Sequence, residues 1–131
     1  MIVIRLPRPL SVNGLYYNHR RGGRSGTQAH RIWRMEAMQE ISAQRVKWPE
    51  KQILGPYRLT IIVAPIFRGS RRMGDLGNLE KCVSDVLTKM QVIRDDADAE
   101  QILLRWAGLR DFDVLGCEVT IEQVAYGCHE A

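Results

Sequence analysis

The chain has 131 residues, of which 45% are hydrophobic and 26% are charged, and these values are typical of a globular domain with its own core. No apolar run approaches the roughly 18 residues that a membrane-spanning helix requires, and the first residues lack the pattern of a signal peptide. Three scattered cysteines, Cys82, Cys117 and Cys128, are too few for a disulfide framework or a zinc site. We therefore expect a single cytoplasmic domain over residues 1–131, with reduced thiols and no membrane partner.

The net charge of +4 is unevenly distributed along the chain. Residues 1–35 contain seven arginines and no acidic residue, whereas residues 36–131 hold the other twelve basic residues and all fifteen acidic residues. A basic segment beside a nearly balanced remainder favours a polyanion such as nucleic acid as the partner. Basic surfaces also improve solubility, so the charge alone favours nucleic acid only modestly.

The first third of the chain predicts a strand at residues 1–6, a basic loop, and a helix at residues 28–46 with Trp33 in the core. The loop places aromatic rings beside arginines, and both groups suit an unstacked nucleic acid, since rings stack on bases and guanidinium groups bind phosphates. An ordinary surface loop explains the same residues equally well. The residues concerned are Tyr16, Tyr17, His19, Arg20, Arg21 and Arg24.

The remaining pattern predicts three more strands and one more helix. Residues 57–64 are the strongest strand, which residues 66–67 extend beyond Pro65, and residues 102–109 and 114–124 follow the same alternation. Residues 68–74 form a basic loop that contains Arg68, Arg71 and Arg72. The fold class is therefore α+β, with a mixed or antiparallel sheet of about four strands packed against two main helices.

The second helix begins after Asp75, a natural N-cap, and presents two different faces. Apolar residues at helical spacing form the buried face, namely Leu76, Leu79, Val83, Val86, Leu87 and Met90. Polar residues form the open face, with Lys81 at its edge, namely Asp75, Asn78, Cys82, Asp85 and Lys89. The acidic doublet Asp95–Asp96 follows a short apolar segment.

Carboxylates beside cations are the groups that a metal-dependent nuclease needs. Mg²⁺ binds carboxylate oxygens and activates water for phosphodiester hydrolysis, while cations hold the phosphate. Asp75 and Asp96 are the candidate metal ligands, and Lys81 is the candidate group that neutralises transition-state charge. Each also has a plain alternative role, as an N-cap, a turn residue and a surface lysine. Asp85 lies further along the same helical face.

Two blocks of this sequence resemble the RusA family of Holliday-junction resolvases. They are the opening L-P-R-P-L-S-V-N-G-L-Y-Y and the string D-L-G-N-L-E-K followed by Asp95–Asp96, with Asp95 fourteen positions after Lys81. The resemblance implies a homodimer that binds four-way junction DNA in recombination and repair and makes paired Mg²⁺-dependent nicks. It implies catalytic roles for Asp75, Lys81 and Asp96.

The sequence departs from that family at Gly77, where the D-L-D-N pattern has its second aspartate. Loss of this carboxylate removes one charge and up to two oxygen ligands from a metal site. Asp95, Asp98 and Glu100 are candidates to compensate. Two functions therefore stay open, a working junction endodeoxyribonuclease and a branched-DNA-binding protein that no longer cuts. A more remote alternative, an RNA-binding protein, lacks the aromatic strand pattern of RNA-recognition motifs.

Overall fold

A computed structural model describes residues 1–14, 16–18 and 20–124. Over these residues the α-helices are α1 (Gln28–Arg45) and α2 (Glu80–Lys89). The strands are β1 (Ile2–Leu6), β2 (Tyr16–Asn18), β3 (Arg24–Gly26), β4 (Tyr57–Val63), β5 (Ile66–Arg68), β6 (Arg71–Met73), β7 (Ala99–Trp106) and β8 (Cys117–Gln123).

The main sheet has four strands in the order β1-β8-β4-β7. β8 pairs antiparallel with both β1 and β4, and β4 pairs parallel with β7, so the sheet is mixed. Parallel neighbours need a crossover connection, and α2 lies in the segment that joins β4 to β7. The predicted α+β class, with four main strands and two main helices, is confirmed.

One face of this sheet forms the core with the two helices. β1 and the first residues of β4 and β8 alternate buried with more exposed residues, as a half-covered sheet requires, and Leu59, Ile61 and Val63 of β4 are fully buried. Trp33 and Ile41 of α1 lie in the same buried cluster as the apolar residues of α2. Trp33 is therefore a core residue, as predicted.

The helix after Asp75 is interrupted, which differs from the sequence prediction. Asp75 caps a short 3-10 helix, Leu76–Asn78, and α2 begins separately at Glu80 after Leu79. Cys82, predicted on the open face, is buried instead, because the segment at Leu10 packs over it, with 3.6 Å between Cys82 Sγ and the Leu10 carbonyl oxygen. Burial raises the pKa of the Cys82 thiol to about 11 and that of Cys117 to about 12. Cys128 lies outside the described residues.

Two segments predicted as loops contain short hairpins. β2 pairs with β3, and β5 pairs with β6, each pair forming its own two-stranded sheet. The prediction that residues 66–67 extend β4 was therefore wrong, since they belong to a separate hairpin. Gly69 opens the two-residue turn of the second hairpin with a φ of 64°, a left-handed conformation that such turns favour and that glycine adopts readily.

The boundaries of the last two main strands also differ from the predicted ones. β7 begins three residues earlier than predicted, and β8 begins three residues later, at Cys117. The described part of the chain contains no helix long and apolar enough to cross a membrane.

Candidate functional site

A pair of neighbouring carboxyl groups lies between α2 and β7. Asp95 caps the 3-10 helix Asp96–Asp98, and its Oδ1 accepts a hydrogen bond of 2.9 Å from the backbone N–H of Ala97. This bond, together with a hydrogen bond between the Asp95 and Asp96 side chains, lowers the pKa of Asp95. The same contact with Asp95, followed by desolvation and the Asp95 charge, raises the pKa of Asp96. Two carboxyl groups in such contact compete for one proton or attract a cation.

Side chains of α2 also act on Asp96, although they stand more than ten positions earlier in the chain. The Lys81 ammonium pairs with Asp85, with 3.4 Å between Nζ and Oδ2. The Asp85 charge raises the pKa of Asp96, whereas the Lys81 charge lowers it. The fold thus brings Lys81, Asp85 and the acidic doublet into one electrostatic group, which we call the acidic cluster.

Asp75 is held by its own turn. Its carboxylate oxygens accept hydrogen bonds of 3.3 Å from the backbone N–H of Gly77 and of 3.3 Å from Nδ2 of Asn78. Gly77 is exposed, and a Cβ added there would meet only Asp75 Oδ1, at 3.8 Å, an ordinary contact distance. Position 77 therefore has room for a Cβ atom, and its exposure leaves the rest of a side chain open to solvent.

The two other acids considered as replacements for the missing carboxylate differ in their contacts. Asp98 receives two hydrogen bonds of 3.1 Å from Arg94, so its oxygens are already engaged. Glu100 is exposed and lies at a register shift, because Tyr57 pairs with Ala99 while Arg58 pairs with Gln101. Such bulges redirect side chains and often lie beside active sites. Glu100 is thus the less constrained candidate.

Tyr57, which the sequence did not single out, borders the acidic cluster. Its side chain is fully buried, and its hydroxyl has no hydrogen-bond partner among the described residues. Burial, then the charges of Asp96, Glu80, Asp98 and Asp95, raise the pKa of Tyr57 to about 12. The hydroxyl therefore stays protonated at neutral pH. Nothing in its strand pattern distinguishes it from an ordinary core tyrosine.

The carboxylates of Asp95 and Asp96 supply only part of the ligand shell of a magnesium ion. The described residues contain no group of three or more His, Cys, Asp or Glu side chains that could hold a metal ion. Mg²⁺, however, is commonly held through one or two carboxylates, with water and substrate phosphates completing its shell. The neighbouring and exposed carboxyl groups of Asp95 and Asp96 fit that kind of open site.

The hairpin of β5 and β6 carries three arginines directly before Asp75. Arg68 and Arg71 stand opposite each other, Arg72 stands opposite Phe67, and all four side chains are exposed. No ion pair between described residues involves these arginines. They line a pocket of about 440 Å³ together with Met73 and Gly74. We call this element the arginine hairpin, and its uncompensated charge suits an anion.

Two guanidinium groups lie against the Trp106 ring beside this hairpin. Their Cζ atoms are 4.9 Å from the ring centroid for Arg72 and 5.9 Å for Arg8, which is cation–π geometry. Arg8 Nε donates to the Ala64 carbonyl at 3.2 Å, and its Nη2 is buried without a partner among the described residues. These contacts attach the arginine hairpin to the end of the main sheet.

The N-terminal arm contributes exposed cations from the other hairpin. Arg20 and Arg21 lie in the turn between β2 and β3, and both are exposed. The side chains of Tyr16, Tyr17 and Arg24, and all of His19, lie outside the described residues. The prediction that aromatic rings of this arm contact nucleic acid stays a prediction.

Comparison with known proteins adds no assignment. No protein-family model matches the chain, and no curated protein matches it.

Proposed function

We propose that this protein is a Mg²⁺-dependent, structure-specific endonuclease that resolves four-way DNA junctions. The observation that carries the proposal is that the charges of Lys81 and Asp85, which pair with each other, both act on Asp96, the neighbour of Asp95. A cation beside two neighbouring carboxyl groups is a combination that metal-dependent phosphodiester hydrolysis uses. Their convergence from separate elements goes beyond what a turn or a helix cap needs.

Each part of the site has a proposed role. Asp96 and Asp95 would hold Mg²⁺, with Asp75 as a further ligand, and the bound ion would supply a nucleophilic water and neutralise phosphate charge. Lys81 stabilises the negative charge that develops on the phosphate. The arginine hairpin, together with Arg20, Arg21 and Arg24, binds the DNA backbone.

A homodimer is part of the proposal. A four-way junction offers two equivalent strands related by two-fold symmetry, so two copies of one site can cut them symmetrically. Light scattering of the protein, alone and bound to a junction, tests this part separately.

The decisive experiment uses a labelled synthetic four-way junction and a linear duplex of the same sequence, each with Mg²⁺ or with EDTA. We expect the junction to be shifted under both conditions and nicked only with Mg²⁺, while the duplex stays intact. Asp96→Asn and Lys81→Ala should bind the junction and fail to nick it. The proposal would be contradicted if native protein nicked the junction in EDTA. It would also be contradicted if both variants nicked the junction as fast as native protein.

The second candidate is a branched-DNA-binding protein that no longer cuts. The observation in its favour is Gly77 in an acidic region where no complete metal-binding group is found among the described residues. It predicts a shifted junction and no nick with Mg²⁺ or Mn²⁺. The same assay therefore separates the two candidates.

A further inference from the structure

A groove with an apolar floor lies between α1 and the C-terminal end of α2. Its volume is about 810 Å³, and its floor is formed by Met35, Met38 and Met90. Met35 is 56% exposed, while Met38 and Met90 are half-buried and pack against the core. Three of the five methionines in the chain therefore gather on one accessible surface.

The rim of this methionine groove is positively charged. Arg31, Arg34 and Lys89 line it, and no acidic side chain does. None of the ion pairs between described residues uses these three cations. The acidic residues of α1, Glu36 and Glu40, line a different pocket. The rim therefore complements a negatively charged partner.

The shape of the groove suits a helix. Its lining positions on α1 recur at helical spacing from Arg31 to Ala43, which spans about 18 Å or just over three turns. Grooves between helices commonly bind the apolar face of an amphipathic helix, which contributes about one apolar side chain per turn. Methionine side chains are flexible and polarisable, so they adapt to such a face.

We infer that the methionine groove is a docking site for an amphipathic helix of a partner protein, with leucine-like residues on one face and acidic residues flanking it. A nucleic acid suits the floor poorly, because thioethers offer phosphates neither charge nor strong hydrogen bonds. The groove involves none of the residues of the acidic cluster. The inference therefore does not depend on the proposed nuclease activity.

Methyl NMR of the full chain labelled at methionine Cε tests the inference. The probe is a synthetic helical peptide of about four turns, with leucines at one position per turn and glutamates elsewhere. We expect the methyl signals of Met35, Met38 and Met90 to move on titration. Met1 and Met73, which do not line the groove, should stay unchanged as internal controls.

Two matched variants test the role of the rim charge. Arg34→Gln combined with Lys89→Gln should weaken peptide binding at least tenfold. Arg20→Gln combined with Arg21→Gln removes the same charge elsewhere and should change the affinity less than twofold. A control peptide with lysine in place of glutamate should bind at least tenfold more weakly.

Four outcomes would overturn the inference. The acidic peptide leaves the groove methyl signals unmoved, or it moves all five methionine signals alike. The lysine peptide binds as tightly as the acidic one, which would contradict the charge argument. Duplex DNA, in place of the peptide, moves the three groove methyls, which would make the groove a nucleic-acid surface.

Discussion

The carboxyl groups of Asp95 and Asp96 respond in opposite directions to their contact. The fold favours the ionised form of Asp95 and the protonated form of Asp96. Because the folded-state pKa of Asp96 is raised, its ionisation opposes folding. This opposition is absent below the ordinary pKa of 3.8, grows as pH rises through the folded-state pKa, and is constant above it.

Asp96→Asn should therefore raise the thermal midpoint of the metal-free protein at neutral pH. The gain should shrink as the pH falls toward 4, because the native side chain is then increasingly protonated. Glu122→Gln, an exposed acid of β8, is the control for a simple change in net charge. Thermal unfolding in EDTA over a pH series measures both. A lower midpoint for Asp96→Asn at neutral pH contradicts the sign of the shift.

Gly77→Asp tests whether the missing carboxylate limits metal binding. The glycine has no positive φ, and a Cβ there meets only Asp75 Oδ1, so the fold should accept the change. A second carboxylate beside Asp75 adds charge and ligands, so Mg²⁺ should stabilise the variant at several-fold lower concentration than native protein. Thermal shift against Mg²⁺ concentration measures this.

Gly77→Asn gives nearly the same shape without the charge, and it should behave like native protein. If the aspartate and asparagine variants respond alike to Mg²⁺, the added charge does not reach the ion. Asp75 then belongs outside the metal site.

The arginine hairpin should account for a measurable share of the salt dependence of DNA binding. Replacing Arg68, Arg71 and Arg72 with glutamine should reduce the slope of log affinity against log salt by about 0.9 for each arginine that contacts a phosphate. Arg58→Gln, an exposed cation of β4, is the control, since it lies on the face of the sheet away from the helices. Fluorescence titration of a labelled junction over a salt series gives both slopes.

The same titration of the double variant Arg20→Gln with Arg21→Gln compares the contributions of the two hairpins to the salt dependence of DNA binding. A slope unchanged by the triple replacement would show that the arginine hairpin lies outside the DNA contact, whatever the N-terminal arm does.

The regular elements were more predictable from the sequence than the hairpins. The four main strands and two helices follow from apolar periodicity, which burial enforces. The interruption at Leu79 was hidden because Leu76 and Leu79 both pack on the core, so the apolar pattern continues across the break. The arginine hairpin was missed because three-residue strands carry too little pattern, and arginine is not a typical strand residue.

The sequence could name candidate site residues but not their arrangement. The sequence identified Lys81 and Asp96, but the effect of the Lys81 charge on Asp96 depends on how the crossover from β4 to β7 places α2 near the turn before β7. Tyr57 carried no signal, since a buried strand tyrosine is ordinary until its hydroxyl is found without a partner beside acids. The methionine groove likewise depends on how α1 packs against α2.

Taken as one molecule, the protein carries cations at one end of the main sheet and in its N-terminal arm, with an acidic cluster between α2 and β7. A nuclease needs both, because the cations bind the DNA backbone while the carboxylates support hydrolysis. A binding protein needs only the cations. The charges of Lys81 and Asp85 that act on Asp96 are the feature that favours the nuclease proposal over the binding protein.

The most direct measurement of this claim is the rate of junction nicking at saturating protein and Mg²⁺, for native protein, Asp96→Asn and Lys81→Ala. We expect both variants to bind within about twofold of native protein and to nick at least about a hundredfold more slowly, as loss of transition-state stabilisation requires. Glu122→Gln should nick at the native rate. Native protein that binds the junction without nicking it, or variants that nick as fast as native protein, would contradict the assignment of this cluster as the nuclease site.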